Sequence, residues 1–146
     1  MEPFFTPFAI ILATVGAYAV GALWYSPILF LTPWLKGNGL TKETAPKRST
    51  AYIIRNGIYS FVAHGCIVAV IALLFDLLQI TELKTALSLS LLLTFGFIVS
   101  TKYIDLVYTL HGTDYEKKNQ ISFLIASGYY LTVSLVVSVI LFGVTR

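Results

Sequence analysis

His64 and the pair Lys102 and Asp105 are the residues whose chemistry is least expected where they stand. His64 falls in a stretch, 56–75, that contains no Asp, Glu, Lys or Arg. Asn56 and Ser60 precede it at fourth-position spacing, so on a helix the three share one face as a polar stripe. A histidine inside a membrane bundle is a candidate haem or metal ligand, but haem held between helices commonly needs two axial ligands at one depth. The only other histidine, His111, is expected at the end of the third apolar run, level with the start of the second at Tyr52. His64 is twelve residues further in, about 18 Å at about 1.5 Å per residue, so the two do not meet at one level. A buried, hydrogen-bonded, neutral imidazole is the expected state, with no metal and no cofactor.

Lys102 and Asp105 interrupt an apolar run that continues past them to Leu110. An unpaired charge at the centre of a membrane helix costs about 2.5 to 3.5 kcal/mol on insertion scales, so the two call for an explanation. Their i, i+3 spacing lets them pair on one face. One reading makes them part of a small cavity with Asn56, His64 and Tyr129, a site for an ion, a proton or a lipid headgroup. The other puts both near the membrane interface, with Lys102 snorkelling to water and Asp105 pairing Arg55 or Lys102. No nucleophile and base pair, phosphate loop, paired carboxylates or metal-spaced cluster is present, so no catalytic residue is assigned and no enzyme is expected. Cys66 is the only cysteine, which excludes an intrachain disulfide and a Cys-x-x-Cys redox pair.

The elements that carry these residues are set by composition. Of 146 residues 57% are hydrophobic and 12% charged, with a mean hydropathy of +0.81, against the roughly 25% charge of an ordinary soluble domain. That is a membrane composition, and its length suits one membrane domain, residues 1–146. The net charge of +3 resides in short connections between apolar runs, where anionic lipid headgroups explain it and a nucleic-acid partner is not needed.

Four runs are long enough to span a hydrocarbon core of about 30 Å. They are predicted as helices over about 5–26, 51–78, 84–110 and 120–144. In the first, Ala9, Ala13, Ala17 and Gly21 recur at every fourth position, a row of small residues that lets another backbone come close. The run is not expected to be cleaved as a signal peptide, because Met1-Glu2-Pro3 lacks the positive start and the apolar stretch outlasts the small residues at Ala17 and Ala19. At its end stand Trp24 and Tyr25, suited to the bilayer interface, then Ser26 and Pro27, which bend or stop the helix. Residues 28–35, with Pro33 and Trp34, are apolar but too short to cross, and are predicted to lie in the interface or re-enter the membrane under cover of protein. The polar loop 36–50 follows, and Ser49 or Thr50 caps the second helix. A turn is predicted at His111-Gly112-Thr113-Asp114. In the last helix Ser134 and Ser138 continue a row from Tyr130, and the serine hydroxyls are expected to bond their own i−4 carbonyls and face a neighbouring helix.

Gly21-Ala22-Leu23-Trp24-Tyr25-Ser26-Pro27, followed by Phe30 and Trp34, resembles the signature of a family of small, bacterial-type four-helix membrane proteins, the domain of unknown function 1761. Gly128-Tyr129 resembles the same family's other recurrent site. The resemblance implies a four-span inner-membrane protein with the Trp24-Tyr25-Ser26-Pro27 corner as its hallmark, and it brings no activity.

The expectation is therefore an all-α, four-helix transmembrane bundle with a short interfacial segment after helix one. Its expected role is a structural or interaction subunit of a membrane assembly that binds lipid. The alternative is a small transporter or channel using the polar intramembrane site, and an integral membrane enzyme is the least supported class. The expected partners are membrane lipids, with other membrane proteins or a second copy besides. Lys36, Lys42, Lys47, Arg48 and Arg55 around the first connection and Lys117 and Lys118 in the third, against Lys84 and Arg146, predict cytoplasmic first and third connections and outward termini in the cell inner membrane.

Overall fold

The computed structural model describes residues 6–108 and 115–144, the side chains of 115–119 excepted. The expected turn at His111-Gly112-Thr113-Asp114, the side chains of Lys117 and Lys118, Arg146 and the first residues of helix one lie outside that range. Among the described residues there is no strand, and four helices are long and apolar enough to cross a membrane. The protein is an all-α, multi-pass membrane bundle.

Helix α1 (Pro7–Trp24) starts at Thr6, whose Oγ1 accepts a hydrogen bond from the Ala9 N–H at 3.1 Å, with Pro7 at the first helical position where its missing N–H is not needed. It ends at the expected corner. The Phe30 N–H donates to the Trp24 carbonyl at 3.0 Å and the Leu31 N–H to the Ser26 carbonyl at 3.2 Å, so the chain folds back on itself within a few residues. The interfacial segment is a short helix, α2 (Leu31–Gly37), which accommodates Pro33 in its first turn and packs on the last helix with Leu35 and Gly37 buried. Gly39, at a φ of 71°, closes α2: the Leu40 N–H reaches the Leu35 carbonyl at 2.9 Å and the Gly39 N–H reaches that of Lys36 at 3.1 Å.

The second span, α3 (Thr50–Leu77), is capped by Ser49, whose hydroxyl accepts the Tyr52 N–H at 3.2 Å. Its end repeats the closure of α2 with Gln79, at a φ of 51°, in the place of the glycine. The third span, Leu83–Tyr108, is continuous but not uniform. It runs as α4 (Leu83–Leu93), a π-helical turn (Thr94–Val99) and α5 (Ser100–Tyr108). The last, α6 (Tyr115–Val144), is already helical through the polar turn ahead of its apolar stretch, Gln120–Val144.

The core lies where α6 meets α1 and α4, with α3 joined mainly to α1. Ala9, Ala13, Ala17, Val68, Phe75, Val137 and Leu141 are fully buried in it. Large apolar side chains such as Phe8, Ile11, Ile58, Leu92 and Leu124 stand exposed around the outside. A soluble protein does not leave such a belt open to water, whereas lipid chains cover it at no cost.

Candidate functional site

The second span brings its polar stripe to the inside of the bundle. Asn56, Ser60 and His64 line a cleft of about 530 Å³ between α3, the second half of α1 and the middle of α6. The facing wall is aromatic: Tyr18 and Tyr25 come from α1 and the corner, Tyr129 and Tyr130 from α6, and Tyr52 stands at the loop end of α3. Tyr18, Gly21, Ala22 and Tyr25 follow a three-and-four spacing, so α1 presents one face to this cleft.

The imidazole of His64 is fixed at both nitrogens. Nδ1 lies 2.6 Å from the backbone carbonyl of Ser60, and since a carbonyl only accepts, Nδ1 carries the proton. Nε2 of the neutral ring is then an acceptor, and the hydroxyl of Tyr129 donates to it. Helical geometry supplies the first bond, from i to i−4 on α3, while the second joins two spans across the bundle.

Tyr129 reaches His64 because nothing stands in its way on α1. A Cβ at position 21 would come within 3.0 Å of the Tyr129 hydroxyl, so Gly21 opens the space that the phenol uses. Gly128 does the converse for α1, since a Cβ there would be 3.2 Å from Cζ2 of Trp24. The Trp24 indole N–H donates to the Ile125 carbonyl at 3.1 Å, which ties the corner to α6. Rings then stack outward: Tyr25 and Tyr129 have centroids 5.3 Å apart, Tyr25 and Trp34 5.6 Å, and Trp24 and Phe30 4.6 Å. Pro27 is exposed beyond this cluster and Ser26 holds the turn, its Oγ accepting the Ile28 N–H at 3.2 Å.

At the loop end of the cleft the guanidinium groups of Arg48 and Arg55 lie 4.6 and 5.5 Å from the ring centroid of Tyr52. The mouth of the cleft is therefore cationic while its floor is neutral and hydrogen-bonding.

Of the residues singled out in the sequence, Asn56, His64 and Tyr129 line one cavity with Gly21 and Tyr25, and Trp24 and Trp34 brace it. Lys102 and Asp105 are not brought there. Both are exposed on α5 and line a separate, shallow cavity of about 220 Å³ with Trp34, Ser122 and Phe123. The joint cavity of all five residues does not form, because α1 and α3 meet α6 at Tyr129 while α2 and α5 meet it at Ser122 and Ala126. Ala9, Ala13 and Ala17 are fully buried, and Gly21 continues their row to the Tyr129 hydroxyl. Sequence reading did not assign Tyr18, Tyr52 and Tyr130 to the site, although the spacing of Tyr18 to Tyr25 on α1 carried that signal. Among the described residues no three His, Cys, Asp or Glu side chains come together as a metal site.

A family model described as "Protein of unknown function (DUF1761)" matches residues 8–142. No curated protein and no solved structure matches the chain.

Proposed function

Because the chain belongs to this family of unknown function, DUF1761, and carries four membrane-length apolar helices, we propose that it is a lipid-binding subunit of a membrane assembly, holding the anionic head of a membrane amphiphile in the cleft between α1, α3 and α6. The observation that carries this reading is the His64 and Tyr129 hydrogen bond inside an aromatic cleft of about 530 Å³, a volume in the range of ligand pockets, about 300 to 1,000 Å³. Arg48 and Arg55 at the mouth favour a negative charge there, and Asn56, Ser60 and the tyrosines offer hydrogen bonds to a polyol or phosphate.

In the inner membrane, the positive-inside rule puts this mouth, with the first and third connections, on the cytoplasmic side. A cysteine placed at Thr44 should therefore resist an impermeant thiol reagent on intact cells, and strong labelling would reverse the orientation. The binding itself is tested by purifying the protein in mild detergent and identifying retained lipid by native mass spectrometry. Wild-type protein should carry an anionic lipid, and His64→Ala should lower its occupancy about tenfold. Equal occupancy in the two, or retention of zwitterionic lipid alone, overturns the reading.

A further inference from the structure

The face of α3 that carries Asn56, Ser60 and His64 does not end at the histidine. Ile67, Ile71 and Leu74 continue it at the same three-and-four spacing, and they line a second cavity of about 480 Å³ with Leu93, Phe97 and Val133. One helix face is thus polar from the basic loop to His64 and apolar beyond it. Tyr130 of α6 lines both cavities, so the polar cleft and the apolar groove meet at that ring.

Room for the groove exists because α3 packs along α1 and makes little direct contact with α6. The opposite wall is the π-helical turn, which contributes Thr94, Phe97 and Ile98. Such turns widen a helix locally and recur at functional sites. The hydroxyls along this wall are already engaged. Thr94 Oγ1 donates to the Ser90 carbonyl at 2.8 Å, Ser90 and Ser138 are joined through their Oγ atoms at 2.5 Å, and Ser134 Oγ donates to the Leu131 carbonyl at 2.9 Å. What the groove offers a ligand is apolar contact.

We propose that the groove holds the hydrocarbon chain of a single-chain anionic amphiphile of the lysophospholipid type, whose polar part lies in the cleft. This rests on the lipid-binding reading above and narrows it to one class. The polar stretch from Tyr52 to His64 is about 18 Å long at about 1.5 Å per residue, which leaves room for a phosphate with a glycerol on each side and exceeds the reach of a bare carboxylate. One apolar groove shares the Tyr130 ring with the cleft and has room for one chain. Its volume is that of a pocket for one drug-sized ligand.

The test uses the full chain in phosphatidylcholine nanodiscs, with binding followed by native mass spectrometry and corrected for each lipid's partition into empty discs. The probes are hexadecyl lysophosphatidylglycerol, its octyl homologue and two-chain phosphatidylglycerol. The hexadecyl probe should bind about tenfold more tightly than either of the others. Val70→Trp, at the exposed lip of the groove, should lower that binding about tenfold, while Leu73→Trp, on an exposed part of the same helix outside the lining, leaves it unchanged. Binding that depends on His64 but is equal for hexadecyl and octyl chains overturns the groove and leaves the cleft reading intact. A preference for the two-chain lipid overturns the single-chain assignment, and no anionic binding in the wild type overturns both readings. Should Val70→Trp fail to fold, the chain-length ratio in the wild type decides.

Discussion

On one flank α6 is closed against α1, and on the other it is held apart from α3. The closed flank is built of small residues and interlocked rings: Ala13 and Ala17 are fully buried, Gly21 admits Tyr129, and Gly128 admits Trp24. The open flank contains two cavities, of about 530 and 480 Å³. The small residues of α3 are spent elsewhere, since a Cβ at Gly57 would lie 3.0 Å from the Tyr18 hydroxyl and one at Gly65 3.8 Å from Thr14, both on α1. Helices in lipid gain little from burying apolar surface and associate where backbones can come close. The distribution of small residues therefore decides which pair of spans seals and which leaves room for a ligand.

The largest effect should come from adding bulk to the sealed flank. Ala17→Leu places a branched side chain where exposure is zero, at a cost of up to about 3 kcal/mol for overpacking. Val70→Leu adds a methylene at the lip of the apolar groove and should stay within about 0.5 kcal/mol of wild type. Thermal unfolding in detergent compares the two. Equal melting temperatures would mean that the flanks do not differ in packing.

A smaller effect is expected where the flanks meet, at the Tyr129 hydroxyl. Tyr129→Phe removes the donor and leaves Nε2 of His64 unpaired, at about 1 to 2 kcal/mol. Gly21→Ala leaves the hydroxyl in place but sets a methyl 3.0 Å from it, so the phenol must shift by a few tenths of an ångström at the expense of its bond to the histidine. Both changes break one bond, so the double variant should lose well short of the sum of the two. Full additivity, measured by unfolding, would show that Gly21 serves only helix contact and not the His64 bond.

Much of this fold was legible in the sequence because its signals are local. Hydropathy placed the four spans within a few residues of their observed bounds, Pro27 placed the corner, and fourth-position spacing put Asn56, Ser60 and His64 on one face. Spacing says which residues share a face but not which helix that face meets. The partnership of His64 with Tyr129, 65 residues apart, and the separation of both from Lys102 depend on the order of helices around α6, which no single-helix pattern encodes. The π turn is a change of hydrogen-bond register inside a uniformly apolar stretch, and apolarity does not report register. For residues 28–35 length left two readings, interfacial or re-entrant under cover of protein, because the burial of Leu35 and Gly37 on α6 needs a surface supplied far along the chain.

Lys102 and Asp105 belong to neither flank, and the smallest effect is expected there. α5 has no buried residue, and the two side chains lie three and six residues before Tyr108, about 5 to 9 Å at about 1.5 Å per residue, on the part of the third span nearest the polar third connection. From that depth a lysine stem reaches the headgroups and a carboxylate keeps contact with water, so neither charge carries the penalty of the bilayer centre. Asp105→Asn, Lys102→Met and the double change should each leave unfolding within about 0.5 kcal/mol of wild type. Retention of anionic lipid should be unchanged in all three, because their shallow cavity is separate from the His64 cleft. The opposite result has a distinct signature. If the pair sat in a poorly solvated place, Asp105→Asn alone would strand the ammonium and lower folded yield sharply, while removing both charges would restore it. Rescue of that kind would move the functional centre of the molecule from the open flank of α6 to the α2 and α5 side.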